Sequence, residues 1–226
     1  MDRRVVAVLA VIGTVGSISF AQDAAPAPAA PPAHVAPVAP TPPPGMVELA
    51  LKPGMPAPEF KVEKFLKGEP FSSFEKGKVY VIEFWATWCG PCIMGIPHLT
   101  DLQKEYKDKG VVICGVNVAE DKVYTPETLT KVTNFVETTG DAMGYSVAYD
   151  GAVPFMQIAW MKAAGQRGIP CAFVVDQKGT VAWIGHPMQL DMVLEEVTAG
   201  KWDIEKGPER LKAAMDAFAG AMEKYN

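Results

Sequence analysis

Apolar and polar residues fall into blocks along the chain, and beyond residue 78 the blocks have the lengths of strands and helices. Val79–Ala86 is a run of β-branched and aromatic residues broken only by Glu83, the pattern of a strand buried on both faces. A helix is predicted from about Gly90 to Lys107, with Ile93, Ile96, Leu99, Leu102 and Tyr106 on its apolar side. Val111–Val118 reads as a second buried strand. Thr125-Pro126 places a capping hydroxyl before a proline at the first helical position, and Leu129, Val132, Phe135 and Val136 form that helix's stripe. Tyr145–Tyr149 is predicted as a short strand, and Phe155–Ala164 as a helix ended by Gly165. Cys171–Asp176 and Thr180–Ile184 are strands separated by Gln177-Lys178-Gly179, short enough for an antiparallel hairpin. Helices near Gln189–Ala199 and Pro208–Lys224 close the chain. This alternation predicts an α/β domain with right-handed crossovers around a mixed central sheet.

The first 45 residues carry no such pattern. Arg3 and Arg4 precede an uncharged apolar run from Val5 to Phe20, followed by Ala21. Residues 1–21 therefore read as a secretory signal cleaved before Gln22, or as an uncleaved membrane anchor at the lower length limit for a spanning helix. No cysteine lies there to take a lipid. Both readings export the remainder. Residues 22–45 include nine prolines and eight alanines, a composition that forms a semi-rigid extended spacer. Residues 46–226 are left for one folded domain.

Composition narrows the function classes. With 49% apolar and 21% charged residues the chain is not wholly disordered. A net charge of −5 argues against a duplex nucleic-acid partner, which requires a basic face. Four cysteines are too few for a disulfide-dense miniprotein.

Two of those cysteines sit in Trp88-Cys89-Gly90-Pro91-Cys92, where the first buried strand meets its helix. A helix N-terminus presents unpaired N–H groups and partial positive charge, which stabilise a thiolate. Cys89 at that end is positioned to ionise and attack, and Cys92, one turn further in, can close a small-ring disulfide with it. Such a pair attacks a substrate disulfide, forms a mixed disulfide and resolves it internally. Haem attachment would need histidine where Ile93 stands, and a structural zinc site would need a second ligand pair. Cys114 and Cys171 stand far apart in sequence and His98 is isolated, so no metal is indicated. An inert structural disulfide is the remaining reading.

The stretch Val81–Cys92 resembles the active-site strand and motif of the thioredoxin superfamily. Leu51–Phe60 resembles the opening of the TlpA-like exported thiol–disulfide oxidoreductases and their peroxiredoxin relatives. Gly168–Gly179 matches the family's cis-proline segment and following hairpin, and Pro97 matches a helix-kinking proline. The resemblance covers roughly residues 49 to 200. It implies a thioredoxin fold with an N-terminal extension and an extra C-terminal helix, with Cys89 as nucleophile and Cys92 as resolving thiol. It further implies that Pro170 follows a cis peptide, that Ile169 offers its backbone to an extended substrate, and that Trp88, Gly90 and Pro91 shape the rim. Glu83 corresponds to the family's buried acid, which takes the proton of the resolving thiol; the plain alternative is a strand-edge acid turned to solvent.

Some positions depart from the family. The lysine that thioredoxins carry near the buried acid is matched here by Gly115, and the glutamate of many TlpA-like proteins by Gly95. Cys171 replaces the usual threonine after the cis-proline and is expected to be a buried inert thiol, unpaired with Cys114 because the family's strand order separates their strands. His34, His98 and His186 are assigned ordinary polar roles. Met188, Met192, Met215 and Met222 are assigned to packing. Leu211, Met215, Phe218 and Met222 form a stripe that either docks on its own domain or seams a weak dimer.

The expectation is an exported protein disulfide reductase without metal, nucleotide or organic cofactor. It would act on protein disulfides and be regenerated by a membrane thiol reductant. A peroxiredoxin-like thiol peroxidase and a non-enzymatic binding module with a static disulfide are the rival readings.

Overall fold

Strand β2 (Val79–Trp85) is buried along its whole length at the centre of a six-stranded sheet, in a computed structural model that describes residues 51–223. The assigned leader and spacer, residues 1–21 and 22–45, lie outside the described residues. The sheet order is β1-β4-β3-β2-β5-β6, with β1 at Lys64–Lys67, β3 at Val111–Asn117, β4 at Ser146–Tyr149, β5 at Cys171–Val175 and β6 at Val181–Gly185. The β2–β3 and β3–β4 pairs are parallel, whereas β1–β4, β2–β5 and β5–β6 are antiparallel. This is the expected mixed sheet, flanked by helices, and β2 separates Cys114 on β3 from Cys171 on β5.

Strand alternation divides the interior into two cores. Val79, Val81 and Trp85 face the core shared with α1 (Gly90–Tyr106), α2 (Pro126–Thr139) and α3 (Leu190–Thr198). Tyr80, Ile82 and Phe84 face the opposite core, closed by Leu51, Phe60, Met156 and Trp160. In α1 the buried positions Ile96, Leu99, Leu102 and Tyr106 lie against the sheet, and Pro97 sits within the helix. His98 is not isolated in space: its Nε2 lies 2.9 Å from Asp191 Oδ2.

Other features also differ from the sequence reading. β1 is an edge strand paired only with β4, and its four residues Lys-Phe-Leu-Lys are too few to show a period. Residues Gln157–Lys162 wind as a π-helix, with bonds such as Gln166 N to Met161 O at 2.8 Å. Met156, Trp160 and Met161 are all buried, and the wider turn keeps residues four and five apart on one face. In α4 (Gly207–Glu223) Leu211 is buried, but Met215 and Phe218 are 46% and 69% exposed, so the stripe does not dock as a whole. Met188 is likewise exposed rather than packed.

Asp150 anchors the π-helical segment. Its buried carboxylate accepts from Met156 N and Gln157 N, both at 2.9 Å. Replacing Asp150 by alanine strands two donors and is expected to lower unfolding free energy by about 1–2 kcal/mol, read from the denaturant midpoint.

Candidate active site

The site begins where β2 ends. Ala86 is buried, Thr87 is partly covered and Trp88 is 58% exposed, so the chain rises from the sheet to the surface within three residues. Cys89 then caps α1 with extended backbone (φ −83°, ψ 92°), and Pro91 occupies the first turn, where its missing N–H costs no helical bond. The Cys89 Sγ accepts from Cys92 N at 3.3 Å. A sulfur in that position receives an unpaired helix donor and the positive end of the helix dipole, both of which favour its anion. The two cysteines form a disulfide with their Cα atoms 5.2 Å apart. Both are nearly buried, with exposures of 4% and 3%, while Gly90 and Pro91 between them lie open to solvent.

Glu83 is 2% exposed, between Gly115 on β3 and Ala172 on β5. By strand alternation it points to the same face as Val81 and Trp85, the face that carries Cys89 and Cys92. The solvent-facing alternative is therefore excluded. Burial pushes the Glu83 pKa up to about 8, and no ion pair among the described residues opposes it. The Gly115 position has a steric reason to lack a cation. A Cβ there would come within 3.1 Å of the Tyr145 ring and 3.2 Å of Trp85 Nε1, leaving little space for a lysine stem.

The peptide between Ile169 and Pro170 is cis. Phe84 pairs with Cys171 at the start of β5, and Ile169 and Pro170 immediately precede that pair. That segment thus lies at the end of the sheet from which the cysteine turn leaves. Cys171 packs into the core on the opposite sheet face, where burial first and the Glu83 charge second raise its thiol to about 12. Burial raises Cys114 further still. Both remain protonated thiols at neutral pH, and among the described residues no group of acids, histidines and cysteines is arranged to hold a metal ion.

Sequence reasoning brought out Cys89, Cys92, Glu83, Trp88, Ile169 and Pro170, and these gather at one end of the sheet. It passed over Glu120, whose buried carboxylate binds Thr87 across 33 positions of sequence. Ala-Glu-Asp-Lys after a strand reads locally as a solvated loop, and only the folded chain shows the acid turned inward.

Comparison with known proteins agrees with this geometry. The Redoxin family model matches residues 52–191. Protein FixW of Rhizobium leguminosarum is 33% identical over 157 residues, covering 68% of this chain and 69% of that protein. Thiol-disulfide oxidoreductase ResA of Geobacillus kaustophilus is 30% identical over 135 residues, covering 60% and 70% respectively. Among solved structures, a thioredoxin-family thiol:disulfide interchange protein from Chlorobium tepidum aligns with a TM-score of 0.50 and 31% identity, over 66% of this chain and 98% of that one.

Proposed function

The chain belongs to the redoxin family of thioredoxin-fold thiol–disulfide oxidoreductases, and we propose that its Cys89–Cys92 pair reduces disulfides in exported proteins. The observation that carries this reading is the Cys89 sulfur at the start of α1, accepting from Cys92 N. In the dithiol form the Cys89 thiolate attacks one sulfur of the substrate disulfide and displaces the other as a thiolate. Cys92 then gives its proton to ionised Glu83, attacks Cys89 Sγ and expels the second substrate thiolate. Two electrons leave the protein, and the Cys89–Cys92 disulfide is formed.

Trp88, Gly90 and Pro91 form the rim that the substrate meets, and the backbone of Ile169 pairs with an extended substrate strand beside Pro170. The charged start and apolar run of residues 1–21, with the spacer at 22–45, support export or tethering outside the cytoplasm. Among the described residues no helix is long and apolar enough to cross a membrane. Regeneration requires an external thiol donor, for which a membrane thiol reductant is the proposed source.

The direction of electron flow is tested by equilibrating the pair with glutathione redox buffers. A reductase is expected at about −270 mV, and a value of about −120 mV would make the protein an oxidant. A peroxidase differs in needing only Cys89. Peroxide turnover by Cys92→Ser at the rate at which the native protein reduces a disulfide would replace this reading with that one.

A further inference from the structure

Glu120 has no exposed side-chain surface, yet it lies at the start of a surface loop outside the dithiol chemistry. Its Oε2 accepts from Thr87 N and from Asn117 Nδ2, each at 2.9 Å. Its Oε1 accepts from the Thr87 hydroxyl and pairs with Lys131 Nζ at 2.6 Å. The carboxylate is thus fully occupied, and two of its four partners belong to the residue two places before Cys89. Burial alone would raise its pKa, but the bonds from Asn117, Lys131 and Thr87 outweigh burial and hold it below the ordinary value.

The preceding residue is a second anomaly. Ala119 has φ +51°, a left-handed conformation that a residue with a Cβ adopts at a cost. That conformation accompanies an Ala119 carbonyl that accepts from Trp88 Nε1 at 2.9 Å and a Glu120 turned inward. Glu120 N in turn donates to the Tyr124 hydroxyl at 3.2 Å. Two consecutive residues of one loop therefore hold two consecutive residues of the other, Ala119 holding Trp88 and Glu120 holding Thr87. Trp88 is 58% exposed and has little packing of its own to fix it.

We propose that Glu120, backed by Asn117 and Lys131, is a positioning residue that fixes the Thr87–Trp88 segment, and with it the rim presented to protein disulfides. The inference rests on the disulfide-exchange reading above and deepens it. Glu120 touches neither the reacting sulfurs nor the substrate. Its effect is to spare an incoming protein substrate the cost of ordering that rim.

The bonds, rather than the charge, are what the positioning requires, and this makes the idea separable by mutation. Glu120→Gln keeps an oxygen for Thr87 N and Asn117, but sets an amide NH2 against the Lys131 ammonium, two donors facing each other. Adding Lys131→Met removes that conflict, and the amide can then donate to the Thr87 hydroxyl. The four proteins to compare are native, Glu120→Ala, Glu120→Gln and Glu120→Gln/Lys131→Met. Each is first reduced and then assayed against two oxidised substrates, the disulfides of insulin and the neutral small disulfide of 2-hydroxyethanethiol, at a temperature where circular dichroism shows all four folded.

For Glu120→Ala, kcat/KM with the protein disulfide is expected to fall at least tenfold, while the rate with the small disulfide changes less than threefold. The double variant is expected within threefold of native on both. Should Glu120→Ala not fold, Thr87→Val, which loses one bond of the set, is expected to show the same selective loss to a smaller degree. Equal losses on both substrates, no loss on either, or a double variant as impaired as Glu120→Ala would overturn the proposal. Native protein inert toward both disulfides would instead overturn the disulfide-exchange reading, so the two failures are distinguishable.

Discussion

Replacing Cys89 by serine is expected to abolish disulfide exchange, with a loss of at least about a thousandfold, because a serine hydroxyl is not ionised at neutral pH and makes no disulfide. Replacing Cys92 has a different outcome. The Cys89 sulfur stays at the helix start with its N–H donor from residue 92, so Cys92→Ser still attacks. Resolution has no thiol, and a mixed disulfide with the substrate accumulates. Non-reducing electrophoresis checks both results: a reducible adduct is expected for Cys92→Ser and none for Cys89→Ser. A Cys89→Ser variant with native turnover would remove Cys89 from the nucleophile's role, and absence of adduct in Cys92→Ser would favour a static structural disulfide. Cys114 and Cys171 offer no substitute nucleophile, since both are buried and held protonated by burial.

Glu83→Gln is expected to be slower and more stable at once. The carboxyl pKa is raised by burial to about 8. At neutral pH most molecules carry it protonated, and the ionised fraction able to take the Cys92 proton grows toward pH 8. Glutamine cannot accept that proton, so resolution of the mixed disulfide is expected to slow about a hundredfold, with loss of the rise in rate toward pH 8. Stability moves the other way. A raised carboxyl pKa means that the folded state holds a proton which the unfolded chain releases near pH 4.5. The native protein's stability from this group is full below about 4.5 and declines as pH rises to about 8. Glutamine removes that decline, so the variant is expected to exceed the native protein by a few kcal/mol at pH 8 and to differ little at pH 4. Denaturant titrations at the two pH values measure the difference. A Glu83→Gln variant that is destabilised at pH 8, or that resolves mixed disulfides at the native rate, would remove the acid from the proposed proton path.

Much of this could be read along the chain because the signals are local. The apolar run of Val79–Ala86, broken only by Glu83, predicts a fully covered strand, and β2 is buried at every position. Cys-Gly-Pro-Cys at a strand-to-helix junction predicts a cap and a short disulfide, and the backbone at Cys89 provides both. Helix α2 opens at Pro126 as the Thr-Pro pair predicts. The features that were missed depend on partners distant in sequence. β1 exists because β4 offers it an edge, and the π-helical winding brings Met156, Trp160 and Met161 onto one core. The exposed half of the α4 stripe is the opposite case, in which a helical period is present but Met215 meets the Gln189 amide at 2.9 Å and Phe218 stays 69% exposed.

The candidate groups are legible along the chain: two cysteines one helical turn apart, an acid in an apolar strand, and a proline that the family resemblance assigns to the cis position. Only the tertiary structure decided how they are held. The parallel pairing of β2 with β3 sets Gly115 beside Glu83, where the Tyr145 ring and Trp85 leave little space for a lysine and the acid stays without a counter-charge. The return of the chain after β3 turns Glu120 inward to grip Thr87. The physical reason is one of range. Helix caps and strand periods act over a few residues and are written in the order of the chain, whereas desolvation and the pairing of buried charge depend on surroundings that exist only after distant segments have packed.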